Sequence, residues 1–205
     1  MKRFIFCIFI ICVFFTHVTA QEESENSPNK GIDGAVVFQP VRQGDTFMKI
    51  GLSLGVPLFN TSNTKFAVNP QIYPGGSINI GFSYYVLNGF SLGGSLSFHF
   101  YPTIAKNLYF AVPITFDMAY TFAKGKWRFP LGGGVGAAFQ SYNGNGGRYF
   151  GMLFKFDAGV YYQYSPEWSF GGEVSWNVLP QWYKDTAHNR TGNILGISFA
   201  ARYHF

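Results

Sequence analysis

The stretch NILGISFAARYHF, Asn193 to Phe205, decides the fold. Leu195, Ile197, Phe199, Ala201, Tyr203 and Phe205 alternate with Gly196, Ser198, Ala200, Arg202 and His204. A period of two is the period of a β-strand, whose successive side chains point to opposite faces. A frayed tail would be polar, so an alternation that runs to Phe205 predicts that the last residue is held in a strand.

The same alternation recurs upstream. Met48, Ile50, Leu52, Leu54 and Val56 alternate with Lys49, Gly51, Ser53 and Gly55, and Ile78, Ile80, Phe82, Tyr84 and Val86 with Ser77, Asn79, Gly81, Ser83 and Tyr85. Phe90, Leu92, Leu96, Phe98 and Phe100 then stand against Ser91, Gly93, Ser95, Ser97 and His99. Four further runs, near 107–121, 127–140, 150–163 and 168–178, behave likewise, with the parity flipping twice. Eight segments of about ten residues, apolar on one face and small or polar on the other, are the signature of a membrane-spanning β-barrel with an even strand count.

Composition agrees. Aromatic residues make up 20% of the chain and charged residues 12%, about half the charged fraction of a soluble domain. After Phe15 no apolar stretch is long enough for a spanning helix. An apolar exterior without such helices requires a closed β-barrel. Without Lys2 and Arg3, 13 basic residues face 10 acidic ones. That balance is too weak to argue for nucleic acid.

Lys2 and Arg3 precede an apolar run from Phe4 to Phe15 and then THVTA, the pattern of a signal peptide cut after Ala20. Cys7 and Cys12 fall inside it, which leaves the mature chain without thiol, disulfide or thiolate metal site. Ile11 before Cys12 argues against a lipoprotein signal. The expected organisation is a signal peptide over 1–20, a polar periplasmic segment over 21–45 and an antiparallel up-and-down eight-stranded transmembrane barrel over 46–205. The links Asn88-Gly89, 123–126 and 165–167 read as tight turns. They alternate with longer links at 58–76, 102–106, 142–148 and 180–190. Short turns belong on the periplasmic side, so both chain ends are expected there.

On these patterns residues 46–205 resemble the small eight-stranded outer-membrane barrels of the OmpA/OmpX-like family. The resemblance implies location in the cell outer membrane of a double-membrane bacterium, as a monomer. It also implies that Phe199, Tyr203 and Phe205 form the assembly signal presented to the outer-membrane insertion machinery. The family's work in envelope integrity, adhesion or defence gives the leading functional expectation, a non-catalytic structural or surface-interaction role.

Inward parity assigns Lys49, Asp117, Arg128, Lys155, Asp157, Glu173 and Arg202 to the lumen, with His99 and His204. An eight-stranded barrel is just wide enough for side chains to fill, so these charges must pair or be wetted. They read as an interior network that closes the pore, with a narrow small-solute conduit as the alternative. Ser97 and His99 share that face and resemble the Ser and His of outer-membrane lipid A deacylases. The catalytic face of that family meets the lipid, whereas these two point inward, and no carboxylate is placed to orient His99. A lipid-modifying enzyme is therefore the weaker expectation. His188 with Asp185 is weaker still. Lys65, Lys106, Arg148, Lys184 and Arg190 lie in or beside the long loops, where they could contact lipid phosphates, including those of lipopolysaccharide. No cofactor or metal is expected.

Overall fold

The computed structural model describes residues 41–205 except 63–64, 66–68, 70–71, 105, 143–146, 185 and 187–188. The signal peptide, most of the polar segment, Asp185 and His188 lie outside the described residues. Eight strands run β1 Thr46–Ser62, β2 Gly75–Leu87, β3 Phe90–Pro102, β4 Leu108–Lys124, β5 Trp127–Tyr142, β6 Arg148–Gln163, β7 Trp168–Gln181 and β8 Arg190–His204. Each pairs antiparallel with its sequence neighbours, and β1 pairs with β8 to close the barrel.

The alternation orders the two faces. Leu52, Ile114, Phe150, Phe156 and Phe199 are exposed outward, whereas Tyr85, Thr115, Arg128, Glu173 and Arg202 are buried inward. This inversion of a soluble core suits lipid outside.

The strands are 13 to 17 residues long rather than about ten. Their extra length rises at the long-loop end, where β1 takes in Leu58 to Ser62 from the expected first loop. At the other end the turns are tight. Gly89 (φ 80°) and Gly125 (φ 59°) adopt left-handed backbone there, which glycine reaches at no steric cost.

Prolines coincide with breaks in the ladders. The β1–β8 register shifts between Pro57 and Phe59. The β3–β4 ladder skips from Leu96–Ile114 to His99–Ala111, passing over Pro113. The β5–β6 ladder skips from Arg128–Tyr161 to Leu131–Ala158, passing over Pro130. Proline has no N–H to donate, so it belongs where pairing is interrupted. At the first break Asn193 fills in. Its Nδ2 donates to Phe59 O at 3.3 Å, and its Oδ1 accepts from Trp176 Nε1 at 3.2 Å.

Aromatic rings chain together around the turn end. Trp168 lies 5.0 Å from Tyr203, Tyr203 5.0 Å from Phe205, and Trp127 5.2 Å from Tyr162. Phe205 N donates to Thr46 O at 3.0 Å, which ties the last residue to the start of β1. At the loop end, Tyr149 turns toward the lumen. It shares inward parity with Lys155, and a Cβ on Gly151 would collide with its ring.

Candidate functional site: a filled lumen with a recess at the loop end

The inward residues of β6, read from the loop end, are Tyr149, Gly151, Leu153, Lys155, Asp157, Gly159, Tyr161 and Gln163. Each marks a level of the interior. At the loop end Tyr101, Tyr109, Ala111, Ala138, Leu153, Leu179 and Ile194 form a buried apolar plug, and Ile72 from the first loop packs on it. Tyr101 fits because the wall opposite is glycine: a Cβ on Gly55 or Gly75 would overlap its ring or backbone.

Below the plug come the charges, in two groups. Glu173 is the centre of the first. Lys49 Nζ lies 2.8 Å from its Oε2, Arg202 Nη2 donates to Oε1 at 2.9 Å, and Tyr161 O–H donates to Oε1 at 2.6 Å. The Arg202 guanidinium stacks 3.6 Å from the Tyr161 ring centre and 4.7 Å from that of Phe47. Arg202 is buried, and its charge is therefore met by a carboxylate and two ring faces, as a desolvated cation requires.

Lys155 is the centre of the second. Its Nζ lies 2.7 Å from Asp117 Oδ1 and 3.9 Å from Asp157 Oδ1. Ser95 and Thr115 hydroxyls donate to the Asp117 carboxylate at 2.6 and 2.9 Å. Arg128 lies nearer the turn end, where its Nε donates to Gln163 Oε1 at 2.7 Å. His204 shares a 2.9 Å bond with Ser169 at that same end.

The seven lumenal residues expected from parity thus meet as two ionic groups, with Arg128 on a glutamine below. Two polar voids flank Lys155 and Asp157, with about 50 Å³ and about 30 Å³ of water-accessible space. That is room for a few waters each.

Ser97 and His99 both line the larger void. His99 Nδ1 is bonded to Tyr101 Oη at 3.1 Å, and among the described residues no carboxylate hydrogen-bonds the imidazole. Across the strand His99 faces Ala111, because β3 continues through Pro102 and pairs it with Leu108. Asp117 pairs with Gly93, well down the barrel.

Above the plug lies a layer of amides. Gln181 Nε2 donates to Gln140 Oε1 at 2.6 Å, Tyr109 O–H donates to the same oxygen at 2.9 Å, and Arg190 Nε donates to Gln181 Oε1 at 2.7 Å. Tyr183 lies 5.4 Å from Tyr149, whose hydroxyl accepts from Trp182 N at 2.7 Å. The five loop-end cations Lys65, Lys106, Arg148, Lys184 and Arg190 are all exposed, and Arg190 also donates from Nε to Gln181 Oε1 at the mouth. Sequence reasoning did not single out Tyr101, Tyr109, Tyr161 or Gln181, although their parity alone puts them inside.

Neisserial surface protein A has the same architecture: its crystal structure superposes with a TM-score of 0.59 at 15% identity, covering 80% of this chain and all (100%) of that one. The outer membrane protein OprG from Pseudomonas aeruginosa gives 0.54 at 9% identity, over 81% and 98%. A protein-family model matches residues 22–203. The chain belongs to the family of that model, and its fold is that of the small eight-stranded outer-membrane β-barrels.

This outer-membrane barrel also has sequence relatives in spirochaetes. An uncharacterized protein of Treponema pallidum (strain Nichols) is 35% identical over 212 residues, spanning 97% of this chain and 96% of that protein. An uncharacterized protein of Borreliella burgdorferi is 27% identical over 158 residues, 67% of this chain and 74% of its own length. The likeness to the solved barrels is one of fold. The spirochaetal proteins share most of the chain.

Proposed function

We propose that this barrel is a non-catalytic outer-membrane protein with a structural or surface-interaction role, exported by a signal peptide cut after Ala20 and working as a monomer. The observation that carries this reading is the interior. An apolar plug and two ionic groups, the first of them including the stacked Arg202, fill the lumen. A wall this well filled serves as a scaffold. In this reading the long loops face outside and the turns face the periplasm, so interaction falls to the loop end, where function on a rigid scaffold concentrates. Its partners are outer-membrane lipids, including lipopolysaccharide where the membrane holds it, together with the assembly machinery.

The test is conductance of the purified protein in planar bilayers. The expected result is no steady current. A stable open level in the wild type would overturn the scaffold reading in favour of a conduit.

A further inference from the structure

The β6–β7 junction is unlike the others at the loop end. Its ladder stops at Phe154–Val178, although β6 runs on to Arg148 and β7 to Gln181. At every other junction the ladder reaches to within one residue of a strand's loop-side end. Residues 148–153 and 179–181 are meanwhile paired on their other flanks, with β5 and β8. Two sheet margins thus face each other without a ladder. Pro180 accounts for the break. Its ladder to β8 continues unbroken through Thr191, so the N–H that proline lacks falls on the β6 side. The paired stretch from Gln163 to Phe154 matches the length of strand that crosses the hydrocarbon. Unpaired backbone is tolerated beyond it, where water reaches.

The unladdered stretch carries the plug. Counting on in the same register, Leu153 stands opposite Leu179 at the first step past the ladder, and both are buried in the plug. Lys155 and Asn177, the pair one level below, line the larger void with Ser97 and His99. Side-chain bonds latch the two margins: Trp182 N donates to Tyr149 Oη at 2.7 Å, and Gln181 Nε2 donates to Gln140 Oε1 at 2.6 Å.

We propose that this seam is a gate. The β5–β6 margin and the β7–β8 margin part at the loop end while the ladder below stays closed. Leu153 and Leu179 leave the plug with them, and water and small polar solutes reach the void at Ser97 and His99. Such a motion releases two side-chain hydrogen bonds and the packing of two leucines but breaks no ladder, so it takes less free energy than opening at any other junction. The gate is compatible with a wall that passes no steady current, because the plug is seated in the closed state. Conductance and gating are therefore tested separately.

The test is residue-resolved hydrogen exchange of the full mature chain in nanodiscs of neutral lipid, with alkylation of a Ser97→Cys variant by iodoacetamide as a second readout. Every second N–H of 148–153, the set turned toward β7, should exchange at least about tenfold faster than the N–H groups of Tyr109 and Gln140, which are laddered on both sides at the same end. Pro180→Val supplies the missing donor. It should slow both that exchange and the alkylation about fivefold, the effect of one added hydrogen bond. Tyr149→Phe removes a latch while keeping the ring, and should speed both by a similar factor. Seam amides as slow as those of Tyr109 and Gln140, or an alkylation rate that neither substitution changes, would overturn the gate. The opposite signs expected of the two substitutions separate gating from a general loss of stability, and retained β-sheet circular dichroism guards against misfolded variants.

Discussion

Glu173 and Asp157 both point into the lumen, yet they carry different weight. Glu173 takes Lys49, Arg202 and the Tyr161 hydroxyl at 2.6 to 2.9 Å, while Asp157 has Lys155 at 3.9 Å. Removing Glu173 leaves two largely buried cations without their anion. Loss of one partner from a buried ion pair costs about 3 to 5 kcal/mol. We predict that Glu173→Ala destabilises the folded barrel by that amount in denaturant unfolding, and that Asp157→Ala costs well under half as much. Equal losses from the two substitutions would show that the 3.9 Å pair is as strong as the Glu173 cluster.

At the scale of the element, β8 closes the barrel and ends it. Its outward residues join the aromatic chain at the turn end, and Phe205 docks through its N–H on Thr46. Phe205 itself is 70% exposed, so its ring contributes little to the packing of the finished barrel. A residue that packs so little can still act during assembly, as the family resemblance implies. Deletion of Phe205 should therefore reduce the amount of protein recovered in outer-membrane fractions several-fold. It should cost at most about 1 kcal/mol in unfolding measurements, as a substitution away from the core does. Comparable losses in both measurements would make the residue a structural one alone.

Across the whole molecule the loop end carries exposed Lys65, Lys106, Arg148 and Lys184. An anionic membrane surface attracts such a rim. Neutralising Arg148 and Lys184 together should weaken binding to vesicles of anionic lipid or lipopolysaccharide by roughly fivefold per base. The loss should be largest at low ionic strength, because salt screens exposed charges. Unchanged vesicle affinity at low salt would leave these residues only the task of keeping the rim soluble. Arg190 is set apart from this prediction because its Nε is committed to Gln181.

The sequence by itself determined the strands, their count, the face each residue shows and the end at which the tight turns lie. Each of these depends on neighbours a few residues apart, so a period of two or an Asn-Gly pair suffices to reveal it. The tertiary structure decided which inward residues meet. Lys49 and Glu173 are 124 residues apart, and their contact follows from stagger summed around the whole barrel. The register of each strand pair, with its shifts at Pro57/Phe59 and Tyr85/Leu87, sets that stagger. The same non-local geometry brought Gln181 to Gln140 and left the Gln140 amide nitrogen without a partner. A one-residue slip in any strand would turn its lumenal side chains to the lipid. The alternation therefore says what faces inward, and closure of the ring says what each of those residues touches.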